Sequence, residues 1–126
     1  MNGHHRVLLV EDQGALRSTL ERALRFHGYD VVPVAGAWQG QDVLVREQID
    51  ILLTDVALGG DQDGFALAGW ARERRPGLPV VLMSGMDMLS PPASGFSDKG
   101  MRLLAKPFAV AALMAALGEL LEVVAA

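Results

Sequence analysis

Four short apolar runs, each ending in a polar side chain, constrain this chain more than any other feature. Arg6-Val7-Leu8-Leu9-Val10 leads into Glu11-Asp12, and Ile49-Asp50-Ile51-Leu52-Leu53-Thr54 leads into Asp55. Pro79-Val80-Val81-Leu82-Met83 leads into Ser84, and Met101-Arg102-Leu103-Leu104-Ala105 leads into Lys106-Pro107. Such runs, alternating with stretches of helical periodicity, read as parallel strands of an α/β sheet. In open sheets of this kind, binding groups collect in the crevice beyond the carboxyl ends of the strands. Glu11, Asp12, Asp55, Ser84 and Lys106 are therefore expected to converge on one small pocket. Three carboxylates, a hydroxyl and an ammonium suit a hard cation together with a phosphoryl group.

The segments between the runs support this order. Leu16, Leu20, Ala23, Leu24 and His27 repeat at helical spacing, and Gly28 closes that helix. Residues 30–34 read as a further strand, whose Pro33 suits a sheet edge. A second helix is expected from Ala37 to Glu47, with Val43 and Leu44 facing inward. The loop 57–64 precedes a third helix marked by Phe65, Leu67, Ala68 and Ala71, which ends before Pro76-Gly77. The stretch 85–100 contains Pro91, Pro92 and Gly95, so any fourth helix there is weak and short. Val110, Leu113, Met114, Leu117, Leu120, Leu121 and Val124 mark a last amphipathic helix. The order βαβαβαβ(α)βα describes one doubly wound domain over residues 1–126.

Composition narrows the function. A chain of 126 residues fits one domain with a real core. Its net charge of -4 leaves no basic footprint for nucleic acid. Arg72, Arg74 and Arg75 form the only basic cluster, read as the solvated end of a helix, where cations suit the macrodipole. With no cysteine, disulfides and thiolate metal sites are excluded. No secretory signal precedes the first strand, and no unbroken apolar run reaches the roughly 18 residues of a membrane span. A cytoplasmic protein without membrane attachment is expected. His4-His5 makes a poor metal site without further ligands.

The pocket chemistry can be specified further. Mg²⁺ takes one or two carboxylates, keeps several waters and bridges to phosphate oxygens. Crowded carboxylates repel one another unless a cation is present, so Glu11, Asp12 and Asp55 together call for a metal. Asp55 can act as nucleophile, since carboxylates form acyl phosphates. The three equatorial oxygens of a transferring phosphoryl group need fixed partners. The metal, the Lys106 ammonium and the Ser84 hydroxyl can supply them.

Val10-Glu11-Asp12, Thr54-Asp55-Val56, Asp63-Gly64, Met83-Ser84-Gly85 and Lys106-Pro107-Phe108 together resemble the receiver domain of two-component response regulators, over essentially the whole chain. The resemblance implies a flavodoxin-like five-stranded parallel sheet of order 2-1-3-4-5. It implies that Asp55 accepts a phosphoryl group from the phosphohistidine of a histidine kinase or histidine phosphotransfer protein. It further implies Asp12 as a direct Mg²⁺ ligand, Glu11 acting mostly through water, and the backbone carbonyl of Ala57 completing the set. Lys106-Pro107 is expected to be cis, a form found in only about 5–6% of such bonds. The chain would then be no enzyme beyond its own phosphorylation and dephosphorylation, and its partner affinity would change with phosphorylation.

Two departures stand out. The family's aromatic residue three positions before the lysine is Leu103 here, and the fourth helix is degraded. The Met83-Ser84-Gly85 form with a weak fourth helix resembles receivers attached to hybrid histidine kinases. Ala57 and Met86 flank the path of hydrolytic water in the family; neither can orient a water, so a long-lived phosphoryl group is expected. Two other readings compete. A Mg²⁺-dependent phosphohydrolase of the haloacid dehalogenase kind needs an aspartate where Ala57 stands. A phosphorylation-independent interaction module would be free to lose the acidic set, Ser84 and Lys106.

Overall fold

The computed structural model describes residues 4–85 and 100–125. Five parallel strands form one sheet: β1 Arg6–Val10, β2 Asp30–Val34, β3 Ile51–Asp55, β4 Val80–Ser84 and β5 Met101–Ala105. They lie in the order β2-β1-β3-β4-β5, the flavodoxin-like arrangement. Helices α1 Gly14–Phe26, α2 Ala37–Arg46, α3 Gly64–Arg74 and α4 Val110–Ala125 complete the described elements. The weak helix expected within 85–100, and Met86, fall almost wholly outside the described residues.

Burial explains why the central strands are continuous apolar runs. Every residue of β3 and β4 is buried, as expected for parallel strands covered on both faces. Alternate side chains feed two separate cores. Leu8, Val10, Leu52, Val80 and Leu82 pack with Ala37, Val43 and Leu44 of α2 and Leu67, Ala68 and Ala71 of α3. Val7, Leu9, Ile51, Leu53, Val81 and Met83 pack with Leu20 and Leu24 of α1 and Leu113, Ala116, Leu117 and Leu120 of α4. Thus α1 and α4 cover one face, α2 and α3 the other. The edge strands β2 and β5 are less buried, and Pro33 sits on β2 as its missing N–H requires.

Local signals set the boundaries. His27 caps α1, and Gly28 follows at φ 93°, the left-handed conformation that favours glycine. His27 itself is exposed and packs edge-on against Phe26, so it does not belong to the inner face of α1. The Asp63 carboxylate caps α3, accepting from the Ala66 N–H at 2.8 Å. The polar Asp50 precedes β3 and accepts the Arg6 N–H at 2.7 Å.

The arginine cluster is not simply a solvated helix end. Arg75 donates to the carbonyl oxygens of Leu44 at 2.6 Å, Glu47 at 2.7 Å and Ile49 at 3.2 Å. It satisfies carbonyls that the end of α2 leaves without intrahelical donors, and it ties α3 to the start of β3. Arg74 lies over the Trp70 ring, 4.0 Å from its centroid. Replacing Arg75 by Met should cost about 1–3 kcal/mol in urea unfolding, because partly buried carbonyls lose their donors. Arg74→Met should cost only about 0.5–1 kcal/mol, the worth of an exposed cation–π contact. Equal costs for the two variants would refute the stapling role of Arg75.

Candidate functional site

Strand register brings the polar ends together. Val10 pairs with Thr54, Asp55 with Met83, and Ser84 with Ala105. Backbone bonds continue the ladder past the strands: Glu11 N to Val34 O at 3.1 Å, Val56 N to Met83 O at 2.8 Å, and Lys106 N to Ser84 O at 2.7 Å. Glu11, Asp55, Ser84 and Lys106 therefore stand along one edge of the sheet. The acidic residues flank the gap between β1 and β3, the switch point where such sheets place their ligands.

The cluster is compact. One carboxylate oxygen from each of Glu11, Asp12 and Asp55 lies within 4.8 Å of the others. Glu11 is 0% exposed and Asp55 5% exposed, whereas Asp12 opens to solvent. The Lys106 ammonium sits 3.0 Å from Asp55 Oδ2 and 3.7 Å from Glu11 Oε1. Asp55 Oδ1 accepts weakly from the Ala57 N–H at 3.4 Å. Glu11 Oε2 accepts the Gln13 N–H at 3.1 Å, while Oε1 is buried with no hydrogen-bond donor. The Ser84 hydroxyl donates to Gly85 O at 3.0 Å. Ala57 is exposed on the loop that follows β3, and the Lys106–Pro107 peptide bond is cis.

Two supporting residues carry roles that the sequence reading did not assign. A Cβ on Gly64 would lie 2.3 Å from the Asp55 carbonyl oxygen. Only glycine lets α3 begin this close to the end of β3, and Gly64 N donates back to Val56 O at 2.8 Å. Arg17, one turn into α1, donates to the Glu11 carbonyl at 2.8 Å and steadies the turn bearing the acidic pair. The Asp63-Gly64 pair was visible as a motif, but nothing in the local pattern marks Arg17.

A family model described as the response regulator receiver domain matches residues 7–118. The chain belongs to the response regulator receiver family. It is 37% identical over 109 residues to the response regulator protein FleR of Pseudomonas aeruginosa, covering 86% of this chain and 23% of that protein. It is 30% identical over 117 residues to the response regulator MprA of Mycobacterium tuberculosis, covering 93% of this chain and 50% of that protein. The chain thus spans half or less of the length of these curated relatives. A receiver protein from Sinorhizobium medicae superposes with a TM-score of 0.87 at 31% identity, covering 94% of this chain and 95% of that one. The receiver domain of the hybrid histidine kinase CckA gives 0.76 at 29% identity, covering 92% and 98%. Receiver domains are generally signalling modules of two-component systems rather than enzymes, and they generally bind Mg²⁺ at an acidic pocket. Among the described residues, no helix is long and apolar enough to cross a membrane.

Burial also sets the protonation of the pocket. It pushes the Glu11 carboxyl up to about 7, helped by the negative charge of Asp55 and a hydrogen bond with Asp12. The Gln13 N–H and Lys106 oppose that rise. Below the ordinary carboxyl range Glu11 is protonated in both folded and unfolded chains. As pH rises, the unfolded chain loses its proton first, so Glu11 contributes stability at low pH that is lost as pH passes about 7. In metal-free buffer, Glu11→Gln should gain stability relative to the natural chain between about pH 5 and about pH 8, by on the order of 1–3 kcal/mol. Urea unfolding across that range checks this. A difference that stays constant or shrinks with pH would contradict it.

Proposed function

We propose that this chain is a phosphoaccepting receiver. Asp55 takes a phosphoryl group from the phosphohistidine of a histidine kinase or histidine phosphotransfer protein, with Mg²⁺ bound, and the affinity of the chain for its output partner changes. The single observation that carries this reading is the surrounding of Asp55: an ammonium at 3.0 Å and two further carboxylates within 4.8 Å, at the carboxyl edge of the sheet. Three oxygen ligands, from the turn after β1 and the last residue of β3, suit a hard cation, and the buried Glu11 Oε1 without a donor suits one too. Asp12 and Asp55 would hold Mg²⁺ directly with the Ala57 carbonyl, and Glu11 would act mostly through water. When bound, Mg²⁺ supplies charge neutralisation on the phosphoryl oxygens.

The residues of the chain supply the remaining steps. An Asp55 carboxylate oxygen forms the new P–O bond as the P–N bond to imidazole breaks, and the electron pair returns to the imidazole nitrogen. Lys106 exchanges part of its contact with Asp55 for the developing charge on one phosphoryl oxygen. The Ser84 hydroxyl, now donating to Gly85 O, can turn to a second. Positioning and charge stabilisation are most of what a protein contributes to such a transfer. Leu103 is half-buried and packs against the core on the α2–α3 face, so position 103 itself offers no aromatic ring to couple with the hydroxyl. In this reading residues 1–126 act as one unit, cytoplasmic and without direct nucleic-acid or membrane contact.

Two measurements test the proposal. Incubation with Mg²⁺ and a small phosphodonor should add one phosphoryl group by intact-mass spectrometry, and Asp55→Asn should add none. Labelling of the variant to the same extent as the natural chain would overturn the assignment. Isothermal titration should show Asp12→Ala weakening Mg²⁺ binding about tenfold or more, with a smaller loss for Glu11→Ala, since only the first removes a direct ligand. Equal losses would contradict the division of roles.

A further inference from the structure

Beside the acidic cluster lies a second concavity. Residues 35–39, at the β2–α2 junction, and 59–62, in the β3–α3 loop, line a cleft of about 300 Å³. One wall is Trp38, which is 72% exposed in the first turn of α2. Asp61 is among the residues of the other wall. No lysine, arginine or histidine is among the lining residues. A Cβ on Gly59 would lie 3.8 Å from Asp12 Oδ2, so the cleft abuts the acidic cluster.

The cleft is built before any ligand arrives. Gln41 on α2 donates to Gln62 Oε1 at 2.9 Å and ties the two walls together. Gly60, at φ 102°, turns the loop in a conformation that other residues rarely adopt. A preformed site loses less ordering entropy on binding.

The other tryptophan of the chain shows what is missing. Trp70 carries the Arg74 guanidinium over its ring at 4.0 Å. Among the described residues, no such cation covers Trp38. An exposed indole and an acidic residue lining one cleft, with no positive charge among its lining residues, match a planar cation. A guanidinium stacks on the indole and bonds a carboxylate through its rigid fork, which a compact ammonium cannot do. We infer that this cleft takes an arginine side chain of a protein partner docking beside the acidic cluster. The inference stands on the cleft and holds whether or not Asp55 accepts a phosphoryl group.

Titration of the ¹⁵N-labelled full chain, in saturating Mg²⁺, with the blocked tripeptide acetyl-Gly-Arg-Gly-amide tests it. Mg²⁺ keeps the peptide from entering the acidic cluster as a mere counter-ion. Saturable shifts are expected at the Trp38 indole N–H and at the amides of Gly59, Gly60, Asp61 and Gln62. The citrulline peptide, equal in shape but uncharged, should bind about tenfold more weakly, because both the cation–π contact and the ion pair are lost. Trp38→Leu and Asp61→Asn, followed at the Gln62 amide, should each weaken binding about threefold or more. Equal binding of the citrulline peptide would overturn the inference. So would shifts centred on Asp12 and Asp55 with the Trp38 indole unmoved, unchanged affinity in either variant, or no saturable shift at all.

Discussion

The Lys106 ammonium holds the arrangement together. It stands 3.0 Å from Asp55 and 3.7 Å from Glu11, two carboxylates that the fold removes almost completely from water. A buried carboxylate must be paired with a cation or protonated, because an uncompensated buried charge costs several kcal/mol. One ammonium cannot balance two carboxylates and the nearby Asp12. Protonation of Glu11 near neutral pH is the response of the chain by itself, and a divalent cation is the alternative response. A proton on Glu11 or a cation in the pocket therefore changes its charge balance.

That balance depends on the backbone geometry beside the charges. The ladder bonds beyond the strand ends set the heights of Glu11 and Lys106 relative to Asp55. Gly64 lets α3 begin against the Asp55 carbonyl, and Arg17 braces the turn of the acidic pair. Two packed cores on opposite faces of the sheet support this edge. Position 103 on β5 carries leucine, which packs against the core on the α2–α3 face.

Much of this was legible in the sequence because it rests on local patterns. Parallel strands buried on both faces must read as apolar runs, so β1, β3 and β4 were plain, and the polar residue at each end marked the pocket. Pro33 identified an edge strand. Non-local contacts were not legible. Arg75 binds carbonyls 26 to 31 residues away, so its sequence neighbours suggested only a solvated helix end. Arg17 binds a backbone oxygen, which any residue would offer. The complete burial of Glu11 beside the exposure of Asp12 depends on how the β1–α1 turn is braced, and two adjacent acids look alike in a sequence. The Trp38 cleft forms only when two loops meet.

The most direct test of the central claim is a crystal structure of the chain with Mg²⁺ and beryllium trifluoride, a mimic of the phosphoryl group. One adduct is expected, with beryllium bonded to an Asp55 carboxylate oxygen, the Lys106 ammonium and the Ser84 hydroxyl on two fluorines, and Mg²⁺ held by Asp12 and Asp55. An adduct on another carboxylate would contradict it. So would an Asp55 adduct that leaves Lys106 on the aspartate alone.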